Sequence, residues 1–228
     1  MTAIALVIFD CDGTLVDSEI ISAKVESEIF TDLGHPLEPA EIQARFAGLK
    51  LSRIIELLKE ETGMVFPENI VERIENETMS RLGQEVKDIA GAHEILDMID
   101  LPRCICSNSS TEWLKTELDH VGLWDRFRPY VYSASEVGTR RSKPAPDVFH
   151  YACKEFGVEP QAAVVLEDSV HGVAAAAAAG CRVVGFTGAA HTYSGHADAL
   201  TEAGAETVIN RLLDFPAVIT ALSGWSQD

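Results

Sequence analysis

Between residues 103 and 209 the chain repeatedly sets a short apolar run beside a helical pattern. "RCICS" (103–107), "YVYSA" (130–134), "AAVVLE" (162–167), "CRVVGF" (181–186) and "AETVI" (205–209) read as strands. "STEWLKTELDHVG", "PDVFHYACKEFG" and "SVHGVAAAAAAG" read as helices between them. This alternation predicts an α/β fold with a parallel sheet and right-handed crossovers. Residues 4–9 form one further apolar run, as expected of a strand buried on both faces. The alanine run 174–179 is a helix with side chains small enough for close packing, ended by Gly180.

Residues 17–86 follow another rhythm. "SEIISAKVESEIFTDLG", "LSRIIELLKEETG" and "PENIVERIENETMSRLG" are amphipathic at helical spacing, and each closes on a glycine. Pro67 stands near the start of the third. With no strand pattern here, the stretch 17–86 is expected to be a helical domain inserted after the first strand. The α/β core then comprises 1–16 and 87–228. Hinges are expected near 15–17 and 85–90. A chain of 228 residues suits one large domain with a small insert.

Ligands of parallel sheets bind beyond the carboxyl ends of the strands. Asp10 and Asp12 follow the first strand, Ser107 ends the second, and Glu167 and Asp168 end "AAVVLE". Two aspartates one residue apart repel each other, so a metal ion and a reaction are the natural reasons to keep them. Hard carboxylate oxygens suit Mg²⁺. The formal net charge, 18 − 36 = −18, argues against a nucleic-acid partner and against an anionic membrane surface. It also means that an anionic substrate needs local cations. No apolar run approaches 18 residues and "IALVIF" is too short for a signal segment, so a cytoplasmic protein is expected. Five scattered cysteines read as reduced thiols. Cys11 reads as a packing residue, because a thiol phosphatase would want an arginine six residues on, where Asp17 stands. None of the seven histidines sits in a motif with a partner, and His171 is expected at the surface.

"DCDGTLVDSE", "SNSS", "KPAPDVF" and "LEDSVHG", in that order, resemble the four-motif set of the haloacid dehalogenase superfamily. The similarity spans nearly the whole chain. It is closest to the phosphatase and phosphomutase branch with a helical cap after the first motif. The resemblance implies a three-layer Rossmann-like core. It implies that Asp10 is the nucleophile and Asp12 the general acid and base, its backbone carbonyl also a metal ligand. Gly13 and Thr14 would supply the turn and a hydroxyl near the phosphate. Ser107 and Asn108 would cradle the phosphate, and Lys143 would neutralise it. Glu167 and Asp168 would complete the Mg²⁺ site with Asp10. Dehalogenases of the superfamily lack an acid at the position of Asp12, so its presence favours phosphoryl transfer.

"ARFAGLKLSR" (44–53) resembles the cap's specificity loop, with Gly48 at the turn and Lys50, Arg53 and Arg45 as candidates to meet substrate. The expected activity is Mg²⁺-dependent hydrolysis of a small phosphorylated metabolite, a sugar phosphate or a phosphorylated sugar acid, by a monomer. The alternative is a phosphosugar mutase. β-Phosphoglucomutases carry a histidine ten residues after the second aspartate, where this chain has Ser22, which favours hydrolysis. A non-catalytic module binding phosphometabolites is the third reading.

Overall fold

A computed structural model of the chain describes residues 3–46, 49 and 51–224. Six strands form one parallel sheet: β1 (Leu6–Phe9), β2 (Arg103–Ser107), β3 (Val131–Ser133), β4 (Ala163–Glu167), β5 (Arg182–Phe186) and β6 (Thr207–Ile209). Their order is β3-β2-β1-β4-β5-β6. The chain therefore winds one way from β1 and the other way from β4, and the switch point lies between those two strands.

Eleven helices accompany the sheet among the described residues. They are α1 (Glu19–Asp32), α2 (Pro39–Phe46), α3 (Leu51–Thr62), α4 (Ile70–Glu85), α5 (Ala92–Met98), α6 (Thr111–His120), α7 (Trp124–Phe127), α8 (Asp147–Phe156), α9 (Val170–Ala178), α10 (His196–Ala203) and α11 (Phe215–Gly224). No helix among the described residues is long and apolar enough to cross a membrane.

Side chains alternate across a strand, so each strand feeds two cores. Val7 and Phe9 join Ile105, Leu166 and Phe186 against Ile95, Leu114 and Phe215. Leu6 and Ile8 join Cys104, Cys106 and Val165 against Phe149, Val173 and Leu200. Helices α5, α6 and α11 thus cover one face and α8, α9 and α10 the other. A third apolar cluster draws only on residues between Ala23 and Ile74, with Phe30, Phe46, Leu58 and Ile74 at its heart. The four helices α1–α4 therefore share a core of their own. The two chain crossings that lead to them lie side by side: Val16 bridges Asp88, the Asp17 amide donates to Lys87 O at 2.9 Å, and the Ile89 amide to Leu15 O at 2.8 Å.

Several local expectations need correction. Gly34, Gly63 and Gly180 do sit at positive φ just past their helices. Gly83 does not end its helix, which continues to Glu85. A Cβ there would lie 3.3 Å from Thr116 Cγ2, so the glycine lets α4 approach α6. Pro67 precedes its helix by several residues, and Asn69 takes the N-cap position. Helices α2, α5, α10 and α11 were not expected. They are 7 to 10 residues long.

Candidate active site

The register levels the strand ends at the switch point. Phe9 pairs with Ile105 on one side and with Leu166 on the other. Asp10 therefore leaves β1 at the height where Cys106 and Ser107 end β2 and Glu167 ends β4. The Asp10 amide donates to Leu166 O at 2.9 Å, which anchors the first residue past the strand. Here the chain breaks from extended geometry, with Gly13 at φ +74°. A Cβ on Gly13 would fall 2.2 Å from Asp168 Oδ2, so no other residue fits that turn.

Lys143 reaches this point from the loop before α8 and is 6% exposed. An ammonium has three protons to donate. Lys143 Nζ spends them on Asp10 Oδ1 at 2.6 Å, Glu167 Oε1 at 2.6 Å and Cys106 O at 2.7 Å. The other oxygen of Glu167 accepts from the Ser169 amide and hydroxyl at 2.8 and 2.9 Å. Asn108 fixes the lysine's backbone: its Oδ1 accepts from the Lys143 amide at 2.8 Å.

Asp10, Glu167 and Asp168 each offer an oxygen within 4.8 Å of the others, and all three are buried. Burial, then Glu167, pushes the Asp10 carboxyl well above the usual carboxylate range, against the pull of Lys143. Burial alone would discharge Lys143, yet Asp10 and Glu167 outweigh it and hold the ammonium charged. One ammonium among three buried acids leaves excess negative charge. A hard divalent cation is the group that this oxygen set and charge would fit.

Asp12 stands apart from that cluster. Ser18 and Ser109 hydroxyls donate to its two oxygens at 2.7 Å each, and the Ser107 hydroxyl adds a 3.3 Å contact. Its carboxylate thus faces the cleft in a fixed orientation. A cavity of about 240 Å³ at the strand ends is lined by Asp10, Asp12, Ser107, Asn108, Lys143, Glu167 and Asp168, with Ser18, Ser22 and Trp113 from the surrounding helices.

The sequence expectations therefore fall into three groups. Asp10, Asp12, Ser107, Asn108, Lys143, Glu167 and Asp168 come together. Thr14 lies close behind, but its hydroxyl donates to Asp168 Oδ1 at 3.2 Å and it does not line the cavity. Arg53 stays away: it pairs with Glu56 at 2.9 Å on its own helix. Arg45 pairs with Glu41 at 2.9 Å and with Glu61 at 2.5 Å. Gly48 and Lys50 lie outside the described residues.

Other residues escaped the sequence reading. His191 Nε2 lies 2.9 Å from Asp168 Oδ2, and His196 Nε2 lies 2.7 Å from Asp168 O. Two histidines therefore do have partners at a motif residue, whereas His171 is exposed. Burial lowers the His191 pKa, but the hydrogen bond and charge of Asp168 overcome it and leave the ring raised. Cys11 is a packing residue with a partner: its thiol donates to buried Glu117 Oε1 at 3.1 Å. Burial pushes the Glu117 carboxyl well up, with Asp12 adding to the effect. The neighbour of a polar residue across a fold leaves no mark on local sequence. Ser18 and Ser109 do lie inside quoted motifs, but nothing in the local sequence tied either to Asp12; the neighbouring Ser110 caps α6, accepting from the Trp113 amide at 3.2 Å.

Comparison with known proteins agrees with this geometry. The sequence profile of the haloacid dehalogenase-like hydrolases matches residues 7–186. The 6-phosphogluconate phosphatase of Escherichia coli is 31% identical over 192 residues, 84% of this chain and 86% of that protein. A haloacid dehalogenase-like protein of unknown function from Agrobacterium tumefaciens superposes with a TM-score of 0.91 at 49% identity, covering 96% of this chain and 99% of that one. A family hydrolase from Deinococcus radiodurans, solved with bound phosphate and sodium, gives a TM-score of 0.85 at 31% identity, covering 97% of each chain.

Proposed function

The chain belongs to the haloacid dehalogenase-like hydrolase family and is a phosphoric monoester hydrolase; from that premise we propose that it hydrolyses a small sugar phosphate through an aspartyl-phosphate on Asp10, with Mg²⁺ as cofactor. The observation that supports this reading most is the Lys143 ammonium shared by Asp10 and Glu167 at the switch point. It fixes a cation against the carboxylate that would attack, at the strand ends where the buried acids would also hold a divalent cation.

In this scheme Lys143 would turn the proton it gives Asp10, and Ser107 the one in its long contact with Asp12, to the phosphoryl oxygens as the substrate enters. An oxygen of Asp10 bonds to phosphorus as the bond to the leaving-group oxygen breaks. Asp12, protonated for this step, gives its proton to that oxygen and the alcohol departs. Asp12 then takes a proton from water as the water oxygen attacks the phosphoryl group, releasing phosphate and freeing Asp10. The three serines keep Asp12 oriented for both transfers. Asp10 and Asp168 are the direct ligands we assign to Mg²⁺. Glu167 gives one oxygen to Lys143 and the other to Ser169, so its part in this scheme is to hold the lysine, whereas Asp168 would turn an oxygen from its longer bond with Thr14 to the cation. The bound cation would supply charge neutralisation to the phosphoryl group.

We assign residues 17–86 as a cap domain that excludes water from the cleft, hinged where Val16 lies beside Asp88. The phosphate bound in the Deinococcus radiodurans relative and the sugar-phosphate name of the Escherichia coli relative support the substrate class. The test is phosphate release from a panel of sugar phosphates with and without Mg²⁺. Turnover should stop with a chelator, return with Mg²⁺ and vanish in Asp10→Asn. Full turnover by Asp10→Asn would falsify the nucleophile assignment.

A further inference from the structure

A second cavity, of about 570 Å³, lies beside the first and shares Ser22, Ser109 and Trp113 with it. Its remaining walls come from α1, α4 and the first residue of α3, Leu51, together with α6, and include Glu26, Glu75, Asn76, Thr78 and Glu112. Its volume lies within the range of small-molecule sites. The polar groups around it are unusually bare. Glu26 is 8% exposed, yet no described residue gives its carboxyl a hydrogen bond or an ion pair. The Trp113 indole N–H is buried and also lacks a partner. Thr78 is 2% exposed. Buried polar groups are normally paired, so bare ones lining a cavity mark where a ligand's polar atoms would sit.

Their chemistry is selective. A carboxylate accepts hydrogen bonds, and the indole N–H and the Thr78 hydroxyl can donate them. Together they match alcohol groups, which do both. Among the described residues that line the cavity there is no lysine or arginine, whereas Glu26, Glu75 and Glu112 are acids. A second anionic group on a substrate would face three acids here and no lysine or arginine among the described lining residues.

We propose that this cavity seats the leaving group and that Glu26 makes it selective for an uncharged, hydroxyl-bearing group over one carrying a carboxylate or second phosphate. The proposal rests on the phosphatase reading above and narrows it, setting this chain apart from a relative named for a sugar acid. An unpaired acid facing a cavity discriminates through the partner it rejects as much as through the one it accepts.

Glucitol 6-phosphate and 6-phosphogluconate test this directly, because they differ only in a terminal CH₂OH against a carboxylate. With the wild-type enzyme and Mg²⁺ at pH 8, where Glu26 is ionised, kcat/KM should be at least tenfold higher for glucitol 6-phosphate. In Glu26→Gln that ratio should shrink at least fivefold, chiefly through a lower KM for 6-phosphogluconate. Equal or better turnover of 6-phosphogluconate by the wild type overturns the inference and leaves the phosphatase reading intact. So does hydrolysis of p-nitrophenyl phosphate with neither hexose derivative turned over. If p-nitrophenyl phosphate is also inert, the phosphatase reading itself fails. The wild-type comparison stands whether or not the variant folds.

Discussion

Lys143 Nζ lies 2.6 Å from Asp10 Oδ1, although 133 residues separate the two in sequence. The same ammonium also holds Glu167 and the Cys106 carbonyl, so a single side chain ties β1, β2 and β4 together at their active ends. Lys143→Met removes the only proton donor that Asp10 and Glu167 share among the described residues. Breaking a buried charge pair from one side costs about 3–5 kcal/mol, and loss of a transition-state cation costs about 10²–10³ in kcat. We expect both, measured by urea unfolding and phosphate release. Wild-type kcat in Lys143→Met would rule out a role for the ammonium in the reaction.

Gly172 supports the same network from behind. It is the third residue of α9, where alanine would ordinarily stabilise by about 1 kcal/mol. A Cβ at this position would lie 1.7 Å from Glu167 Oε1 and 2.0 Å from its Cδ. Gly172→Ala must therefore push the carboxylate off Lys143. We expect a loss of about 1–3 kcal/mol in stability, as for other overpacked sites, and at least a tenfold fall in kcat. A stabilised and fully active variant would mean that Glu167 can move away freely.

The five cysteines give a simple check on the reading of Cys11. All are free and buried, and burial pushes the Cys11 thiol well above its ordinary value, Glu117 and Asp12 adding to it. A disulfide reagent at pH 8 should label none of the five in the native protein and all five in denaturant. Cys11→Ser keeps a donor for Glu117 and should release phosphate from a phosphomonoester at a rate within about threefold of the wild type, in place of the 10²–10⁴-fold loss that removing a reacting group brings. Rapid native labelling of Cys11 accompanied by loss of turnover would reopen its assignment as a nucleophile.

The sheet was legible because its strands are buried on both faces and read as unbroken apolar runs, and the acids at their ends follow directly. Lys143 was legible only through the company of "KPAPD". The geometry that makes it matter comes from pairing β1 with β2 and β4. Ser18, Glu117 and His191 were not legible, since each acts on a residue 6, 106 or 23 positions away across the fold. Arg53 misled for the opposite reason. A cation near a specificity loop suggests a substrate, but Glu56 one helical turn on is the closer partner. Glu26 looked like one more polar position on an amphipathic helix. Its significance depends on α4 and α6 enclosing it.

That enclosure has a consequence for pH. Burial, with a smaller contribution from Glu19, raises the Glu26 carboxyl from 4.5 to about 7. Between those values the folded protein keeps a proton that the unfolded chain has released. Stability is therefore fully present below pH 4.5 and declines as pH rises toward 7, where the loss levels off. A window about 2.5 pH units wide, at 1.36 kcal/mol per unit, amounts to about 3 kcal/mol. Glu26→Gln keeps the shape but has no proton to lose. It should unfold with a flatter profile from pH 4.5 to 7 and be more stable than the wild type at pH 8, by up to about 3 kcal/mol. Asp10 and Glu19 are raised as well, so the wild type alone cannot isolate the effect, whereas the difference between the two proteins can. Urea unfolding of both at pH 5 and pH 8 measures it. Parallel losses would mean that Glu26 ionises freely in the folded state, as water reaching it from the cavity would allow.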